Sequence, residues 1–421
     1  MGWYEIWTHE GHDVAYGVAT SDDGVYVVTS SGEYLVGVST FLLKYDLEGN
    51  LLWGRNWTRN QINEAHSVVV SGNRVYVVGY TGSTDNFDAF LLKYDLEGNL
   101  IWEKVWGEYQ YHWAQSLAVS GDRVYVAGSM GGDEGYTAFV STFNLDGALI
   151  WNKTYDDGGV NNRTHAYGVS VSGDNIYLTG STGSEEDYDV FLLKMNSNGS
   201  PIWSKIWDNN RSSEARSISV SEQHIYVAGW TVQPDNDVED AILLKYDSDG
   251  NLIWSRTYGD IETEIAYGVA VSDDNVYVAG KKGYFQRFGT LLLKYDSNGN
   301  IIWNNTYERT RFGGAYGIVV SGASIYTAGV TWGIGAGFYE ATVQKFLLGS
   351  KSNVNTTTTT STQASPTTTS VTSTVPAQTA ATIQSFTQTS GLSSEVTYAV
   401  SAVALVAIVI VAALLIARKK R

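Results

Sequence analysis

The stretch Tyr94–Trp102, YDLEGNLIW, decides how this chain folds, because the chain writes it again and again. Near copies stand at 45–53 (YDLEGNLLW), 246–254 (YDSDGNLIW) and 295–303 (YDSNGNIIW), with looser ones at 143–151 (FNLDGALIW) and 195–203 (MNSNGSPIW). The closing residues Trp53, Trp102, Trp151, Trp203, Trp254 and Trp303 are spaced by 49 to 52 residues, and one step further back reaches Trp3. A second aromatic follows four residues after each, as in Trp53/Trp57 and Trp151/Tyr155. Seven copies of a unit of about fifty residues point to a propeller or a stacked array.

Within one unit four runs follow one another: AHSVVVS (65–71), RVYVVGY (74–80), AFLLKYD (89–95) and NLIWEKVW (99–106). Short runs rich in Val, Tyr, Phe and Trp and bounded by turn residues are strands rather than helices. The pattern predicts an all-β fold, a seven-bladed β-propeller of four-stranded antiparallel blades over residues 1–348. The first run is built from small residues such as Ala166, Gly168 and Ser170, as suits the crowded axis where blades converge. The Trp run follows a tight turn with Gly at 49, 98, 147, 199, 250 and 299, where positive φ favours glycine, and is predicted outermost. The chain begins on a Trp run and ends on TVQKFLL (342–348). Trp3–Trp7 is therefore expected to complete the last blade as a latch, which removes two open sheet edges.

The line DAFLLKYDLEGNLIWEKVWG (88–107), continued by AVSGDRVYVAG (118–128), resembles the SBBP type of β-propeller repeat over nearly all of 3–348. Its D-x-x-G-x-x-x-W core is similar to the tryptophan-docking motif of quinoprotein propellers. The resemblance implies the architecture and no single chemistry.

With 43% hydrophobic residues the repeats have ample material for a continuous core. The formal charge of −17 makes a phosphate backbone a poor partner, so no nucleic acid is expected. There is no cysteine, which excludes disulfides, thiolate metal sites and cysteine nucleophiles.

Beyond the repeats, residues 349–395 read as a Thr/Ser-rich disordered stalk, with NTTTTTSTQASPTTTSVTSTVPAQTA from Asn355 onward. Residues 396–417 carry no charge and are long enough to cross the ~30 Å hydrocarbon core as a transmembrane helix. RKKR at 418–421 is the basic cytoplasmic tail, which puts the propeller outside a single-pass cell membrane. Stalk, helix and repeats together are similar to archaeal and bacterial cell-surface proteins. That topology needs a signal, yet MGWYEIWTHEGHD has neither a basic start nor an apolar run. The true start is expected upstream of Met1, or the signal is already removed.

Features present in every unit read as scaffold. They include the Tyr of the second run (Tyr26, Tyr76, Tyr125, Tyr177, Tyr226, Tyr277, Tyr326) and, in six of the seven units, the Lys of the third (Lys44, Lys93, Lys194, Lys245, Lys294, Lys345). Turns such as DSDGN (Asp247, Asp249, Asn251) lack the bidentate Glu of a calcium loop and read as plain turns. The histidines never fall in H-E-x-x-H, and no nucleophile elbow or P-loop is present. No catalytic constellation, metal or cofactor is expected, the calcium and cofactor of a quinoprotein enzyme included.

Function is expected where the units differ. Connections between first and second runs, and between third and fourth, are uniformly short. The other face collects long unit-specific segments: 30–39, 107–113, 130–136, 156–165, 182–189, 230–240, 281–289 and 330–340. They are read as loops rich in Tyr, Trp, Asp and Asn, residues suited to carbohydrate or protein ligands. Trp113, Trp230 and Trp332 fall outside the repeating tryptophans. They are expected as exposed indoles which, with Tyr111, Tyr136, Tyr188 and Phe285, line one surface around the axial opening, with Glu64, Glu214 and His165 at its inner rim. The expected role is a binding or structural module. The alternative is an extracellular polysaccharide hydrolase or lyase with acidic residues as acid and base. Sequons at Asn56, Asn152, Asn162, Asn210, Asn304 and Asn355 would carry glycans outside the cell.

Overall fold

A computed structural model describes residues 2–9, 11–33, 36–107, 111–132, 135–156, 163–184, 187–221, 223–233, 238–284, 287–307, 312–333 and 338–348. Nearly all of it is strand. β1 (Trp3–Trp7) stands alone at the start, and the rest fall into consecutive groups. The first holds β2 (His12–Thr20), β3 (Val25–Glu33), β4 (Gly37–Tyr45) and β5 (Leu51–Trp57). The second holds β6 (Ile62–Ser71), β7 (Arg74–Ser83), β8 (Asn86–Asp95) and β9 (Leu100–Trp106). Next come β10 (Tyr111–Ser120), β11 (Arg123–Gly132), β12 (Gly135–Asn144) and β13 (Leu149–Tyr155), then β14 (His165–Ser172), β15 (Asn175–Ser184), β16 (Asp187–Asn196) and β17 (Pro201–Trp207). They are followed by β18 (Ser213–Val220), β19 (His224–Val232), β20 (Glu239–Asp247) and β21 (Leu252–Tyr258), and by β22 (Thr263–Ser272), β23 (Asn275–Tyr284), β24 (Arg287–Tyr295) and β25 (Ile301–Tyr307). β26 (Gly314–Ser321), β27 (Ser324–Trp332) and β28 (Tyr339–Leu347) close the described chain.

Each group pairs antiparallel in sequence order. Single parallel pairings, Val38 with Ile62 and Tyr111 with Phe87, join the first three into one twelve-stranded sheet. β1 pairs with β28, Trp3 opposite Lys345 and Trp7 opposite Ala341, so the N-terminal strand is the fourth strand of the last group, as the latch requires. The first strand of every group packs against the first strand of the next, and β26 packs against β2, which closes the cycle. This is the arrangement of a β-propeller.

The repeated line has a mechanical meaning. Asp95 Oδ1 accepts the backbone N–H groups of Glu97 and Asn99 at 3.1 and 2.7 Å, and Asn99 Nδ2 donates to Asp95 Oδ2, forming the turn into β9. Gly98, at φ +83°, takes a conformation that a side chain resists, and the Trp53 ring of the preceding group lies where a Cβ would go. The other turn glycines meet the tryptophan of the preceding group in the same way, Gly199 against Trp151 and Gly49 against Trp3. Trp102 Nε1 and Lys93 Nζ both donate to Leu145 O of the following group, at 3.3 and 2.6 Å. At the closure Trp3 Nε1 and Lys345 Nζ both donate to Leu47 O, at 2.9 and 2.8 Å. The last group docks on the first with the contact that others use internally. The lysines also sit over the recurring tyrosines, Lys93 Nζ 5.5 Å from the Tyr76 ring.

One sequence expectation is corrected here. Segments 30–39, 130–136, 182–189 and 281–289 are largely hairpin, because β3, β11, β15 and β23 run on into β4, β12, β16 and β24 with register intact. Glycine makes this possible: Gly131 faces Tyr136, Gly183 faces Tyr188 and Gly283 faces Phe288. A Cβ there would collide with the backbone of the opposite strand. Residues read as loop are thus held on rigid strands.

No helix among the described residues is long and apolar enough to cross a membrane. Residues 349–421, which include the expected stalk, the span 396–417 and Asn355, lie outside them.

Candidate functional site

Seven positions break the regularity of the first strands in the same way. Between Ala15 and Gly17, Ala65 and Ser67, Ala114 and Ser116, Ala166 and Gly168, Ala215 and Ser217, Ala266 and Gly268, and Ala315 and Gly317 the register slips by one residue. Such a β-bulge re-aims a side chain. The bulge residues are Tyr16, His66, Gln115, Tyr167, Arg216, Tyr267 and Tyr316. Several touch around the cycle: Tyr16 meets His66 at 4.7 Å and Tyr316 at 5.7 Å, Tyr316 meets Tyr267 at 4.9 Å, and Arg216 lies 4.4 Å over Tyr167. The alanines before the bulges are buried. Opposite six of them stand glycines such as Gly79, Gly180 and Gly229, where a Cβ would strike the carbonyl of Glu64, His165 or Glu214.

A second tier lies one residue earlier, where first and second strands pair. The pairs are Val14 with Ser30, Glu64 with Tyr80, Trp113 with Ser129, His165 with Ser181, Glu214 with Trp230, Ile265 with Lys281 and Gly314 with Val330. Scaffold is constant on both sides of these tiers, and chemistry varies within them.

Several residues singled out from the sequence come together. Tyr111 stacks on Trp113 at 5.1 Å, Trp113 on Tyr136 at 5.3 Å, Tyr136 meets His165 at 5.0 Å, and His165 meets Tyr188 at 6.5 Å. Glu64 joins through Tyr80, whose hydroxyl donates to Glu64 Oε2 at 2.7 Å and whose ring lies 6.5 Å from Trp113. Glu214 pairs with Arg216 at 2.6 Å, and Tyr167 beneath Arg216 stacks on His165 at 6.0 Å. Trp230 stands directly across the ladder from Glu214. Trp332 belongs to a neighbouring cluster with Phe312 and Tyr339, which reaches Lys281 through Phe288. Phe285 and Asn162 lie outside the described residues. Asn56, Asn152 and Asn210 are exposed and Asn304 is half-buried.

The expectation of exposed indoles is corrected: Trp113, Trp230 and Trp332 are all half-buried, and Tyr136 is buried. For Trp113, Trp332 and Tyr136 the cover is neighbouring rings. The sequence reading missed Tyr80, Tyr167, Arg216, Tyr267 and Lys281. Their signal was present as two alignment columns, the middle residue of A-x-[GS] and the residue after the second-strand glycine.

Burial dominates the ionisation here. Desolvation lifts the Glu64 carboxyl to about 7 against the opposing hydrogen bond from Tyr80, and lowers His66, 3.7 Å away, to about 4. Burial, and then Arg216 and Arg163, lower His165 to about 3, so both imidazoles are neutral at pH 7. Holding Glu64 ionised in place costs about 3 kcal/mol. A raised carboxyl costs stability above its folded pKa and nothing below its unfolded one. Glu64→Gln is therefore expected to melt above the parent at pH 8, with the gain gone by pH 4.5. Melting curves of both proteins across that range check it.

One residue before Ile265 on β22, Glu264 joins Asp260 and Glu262, whose carboxylate oxygens lie with its own within 4.8 Å of one another. Lys282 Nζ already sits among them, at 2.7 Å from Asp260 and Glu264 and 3.6 Å from Glu262. A cleft at the short-turn end, lined by His224, Tyr226, Lys245, Asp274 and Asn298, uses the recurring Tyr and Lys and is scaffold.

The family model described as outer membrane protein assembly factor BamB matches residues 4–233, more than half of the chain. The chain belongs to this family. It is accordingly a propeller repeat protein. No curated protein matches the sequence. Among solved structures it is similar to the β-propeller domain of the Trilobed protease from Pyrococcus furiosus, at 12% identity and a TM-score of 0.45, covering 82% of this chain and 99% of that one. It is similar to the endosialidase of phage phi92, at 11% identity and 0.49, covering 86% and 71%. A third is Sqt1 from Chaetomium thermophilum, at 12% and 0.48, covering 82% and 97%. Identities this low say nothing about activity.

Proposed function

We propose that this BamB-family protein is a seven-bladed, surface-anchored propeller that binds carbohydrate at the axial end of its varied face. The observation that supports the reading is the pair of axial tiers. There the otherwise repeating units diverge, and there aromatic faces lie beside carboxylates, an arginine and a lysine. Flat rings offer sugars an apolar face, and the polar groups fix orientation. Residues 349–395 hold the ring off the membrane, and 396–417 anchor it.

A glycan array probed with the purified full-length chain tests this reading. Capture is expected, and Trp113→Ala with Trp230→Ala should lower affinity at least tenfold while the chain still melts cooperatively. Unchanged capture by that double variant moves the site elsewhere. Binding to envelope proteins without any glycan points to the protein ligand. Alkaline extraction of membranes tests the anchor: the full chain should stay in the pellet, and a chain ending at residue 395 should be released.

One observation favours the hydrolytic alternative. Glu64, held near half-protonation at neutral pH, is the kind of carboxyl that serves as a general acid. Release of reducing ends from the captured glycan, lost in Glu64→Gln, would select it.

A further inference from the structure

Lys281 occupies the same ladder position as Tyr80 and Trp230, opposite Ile265. Its neighbour Lys282 is saturated by three carboxylates, but Lys281 has neither an ion pair nor a hydrogen bond among the described residues. Lys281 is half-buried, its ammonium 6.0 Å over the Tyr267 ring and 4.9 Å over Phe288. The nearest carboxylate acting on it, Glu239, already accepts the Thr263 hydroxyl at 3.0 Å. Cation–π contact offsets only part of the cost of taking an ammonium from water.

On the adjacent group stands Arg216, its side chain only 10% exposed. Glu214 engages one end of the guanidinium, while Arg216 Nε is buried with no hydrogen-bond partner. Trp230 Nε1, across the ladder from Glu214, is likewise buried and unpartnered. Buried N–H groups left unmade are costly and rare. Two such unmade donors, on the group next to an ammonium with no salt bridge, leave a demand for an acceptor that Glu214, already 2.6 Å from the other end of the guanidinium, does not meet. Among the surrounding groups Glu214 is committed to Arg216 at 2.6 Å, Glu239 accepts from Thr263, His66 and His165 are neutral, and Glu64 is partly protonated.

We infer that Lys281, Arg216 and Trp230 form an oxyanion subsite, and that the sugar bound at the axis is an acidic one whose carboxylate or sulfate seats there. This rests on the carbohydrate reading above and adds the class of glycan. Arg216 Nε and Trp230 Nε1 donate to the anion, Lys281 balances its charge, and Tyr267 supplies a flat wall beneath the ammonium.

Calorimetric titration of the full-length chain with three probes tests it: oligogalacturonate for carboxylate, a carrageenan oligosaccharide for sulfate, and cellohexaose as a neutral sugar. An acidic probe is expected to bind at least tenfold tighter than cellohexaose, and to weaken as salt rises. The better acidic probe identifies the anion. Lys281→Met should weaken that probe at least tenfold, and Lys281→Arg should restore most of the loss. Equal affinity for cellohexaose, or salt-independent binding of the acidic probe, would overturn the subsite and leave the carbohydrate reading standing. No binding of any probe or array glycan would remove both. The salt dependence uses the unaltered protein, so the test stands even if a variant fails to fold.

Discussion

A chain lacking residues 2–9 melts at least about 8 °C below the parent, and an equal deletion within the Thr-rich segment at 356–372 leaves the melting point unchanged. The physical reason lies in what β1 does. It gives β28 its outer partner over five residue pairs and covers an edge that would otherwise recruit other chains. Trp3 stacks near Tyr45 and Tyr326, at 6.4 and 6.0 Å, and Trp7 packs on Phe41 at 4.9 Å. Trp3 also closes the turn at Gly49 and donates to Leu47 O. Losing a fully buried tryptophan costs about 3–5 kcal/mol. Both are half-buried, so roughly half of that each, about 4 kcal/mol in all, is reasonable. At about 2 °C per kcal/mol for a large domain, this gives the stated shift. Thermal melts of the two deletions check it, and equal curves would mean that the cycle does not depend on its first strand.

Trp151→Ala is expected to cost about 2–4 kcal/mol, somewhat under the range for a fully buried ring. Trp151 is half-buried, lies against Gly199 of the next group, and donates from Nε1 to Ser197 O at 3.3 Å. Alanine there removes contacts on both sides of one interface between groups. Ile150, its neighbour on β13, is 44% exposed, and Ile150→Ala should cost under about 0.5 kcal/mol. Urea titration of both variants measures the contrast. Equal losses would show that the repeated tryptophans do not set the spacing of the groups.

Strand order, the outer tryptophan strand and the latch were legible because each rests on a pattern written many times. A turn with glycine at one offset, and an aromatic four residues after each tryptophan, leave few foldings open. The hairpins at 130–136 and 182–189 were not legible, because Gly131 and Gly183 read as loop formers. Their role is the opposite one: they let a strand approach Tyr136 and Tyr188 without a clash. The bulge tier was hidden for a related reason. A register slip has no composition of its own, and Tyr16, His66, Arg216 and Tyr267 share no chemistry that would mark them as one structural position. Trp113 and Trp332 were judged exposed because the sequence does not show that neighbouring rings cover them.

The central claim is that function resides in the axial tiers, and a crystal structure with the tightest array glycan tests it most directly. The account predicts a sugar against the rings of Trp113 and Tyr167, within hydrogen-bond reach of Arg216 and Trp230. A glycan seated on the short-turn face, or along the outer strands around Ile150, would contradict it.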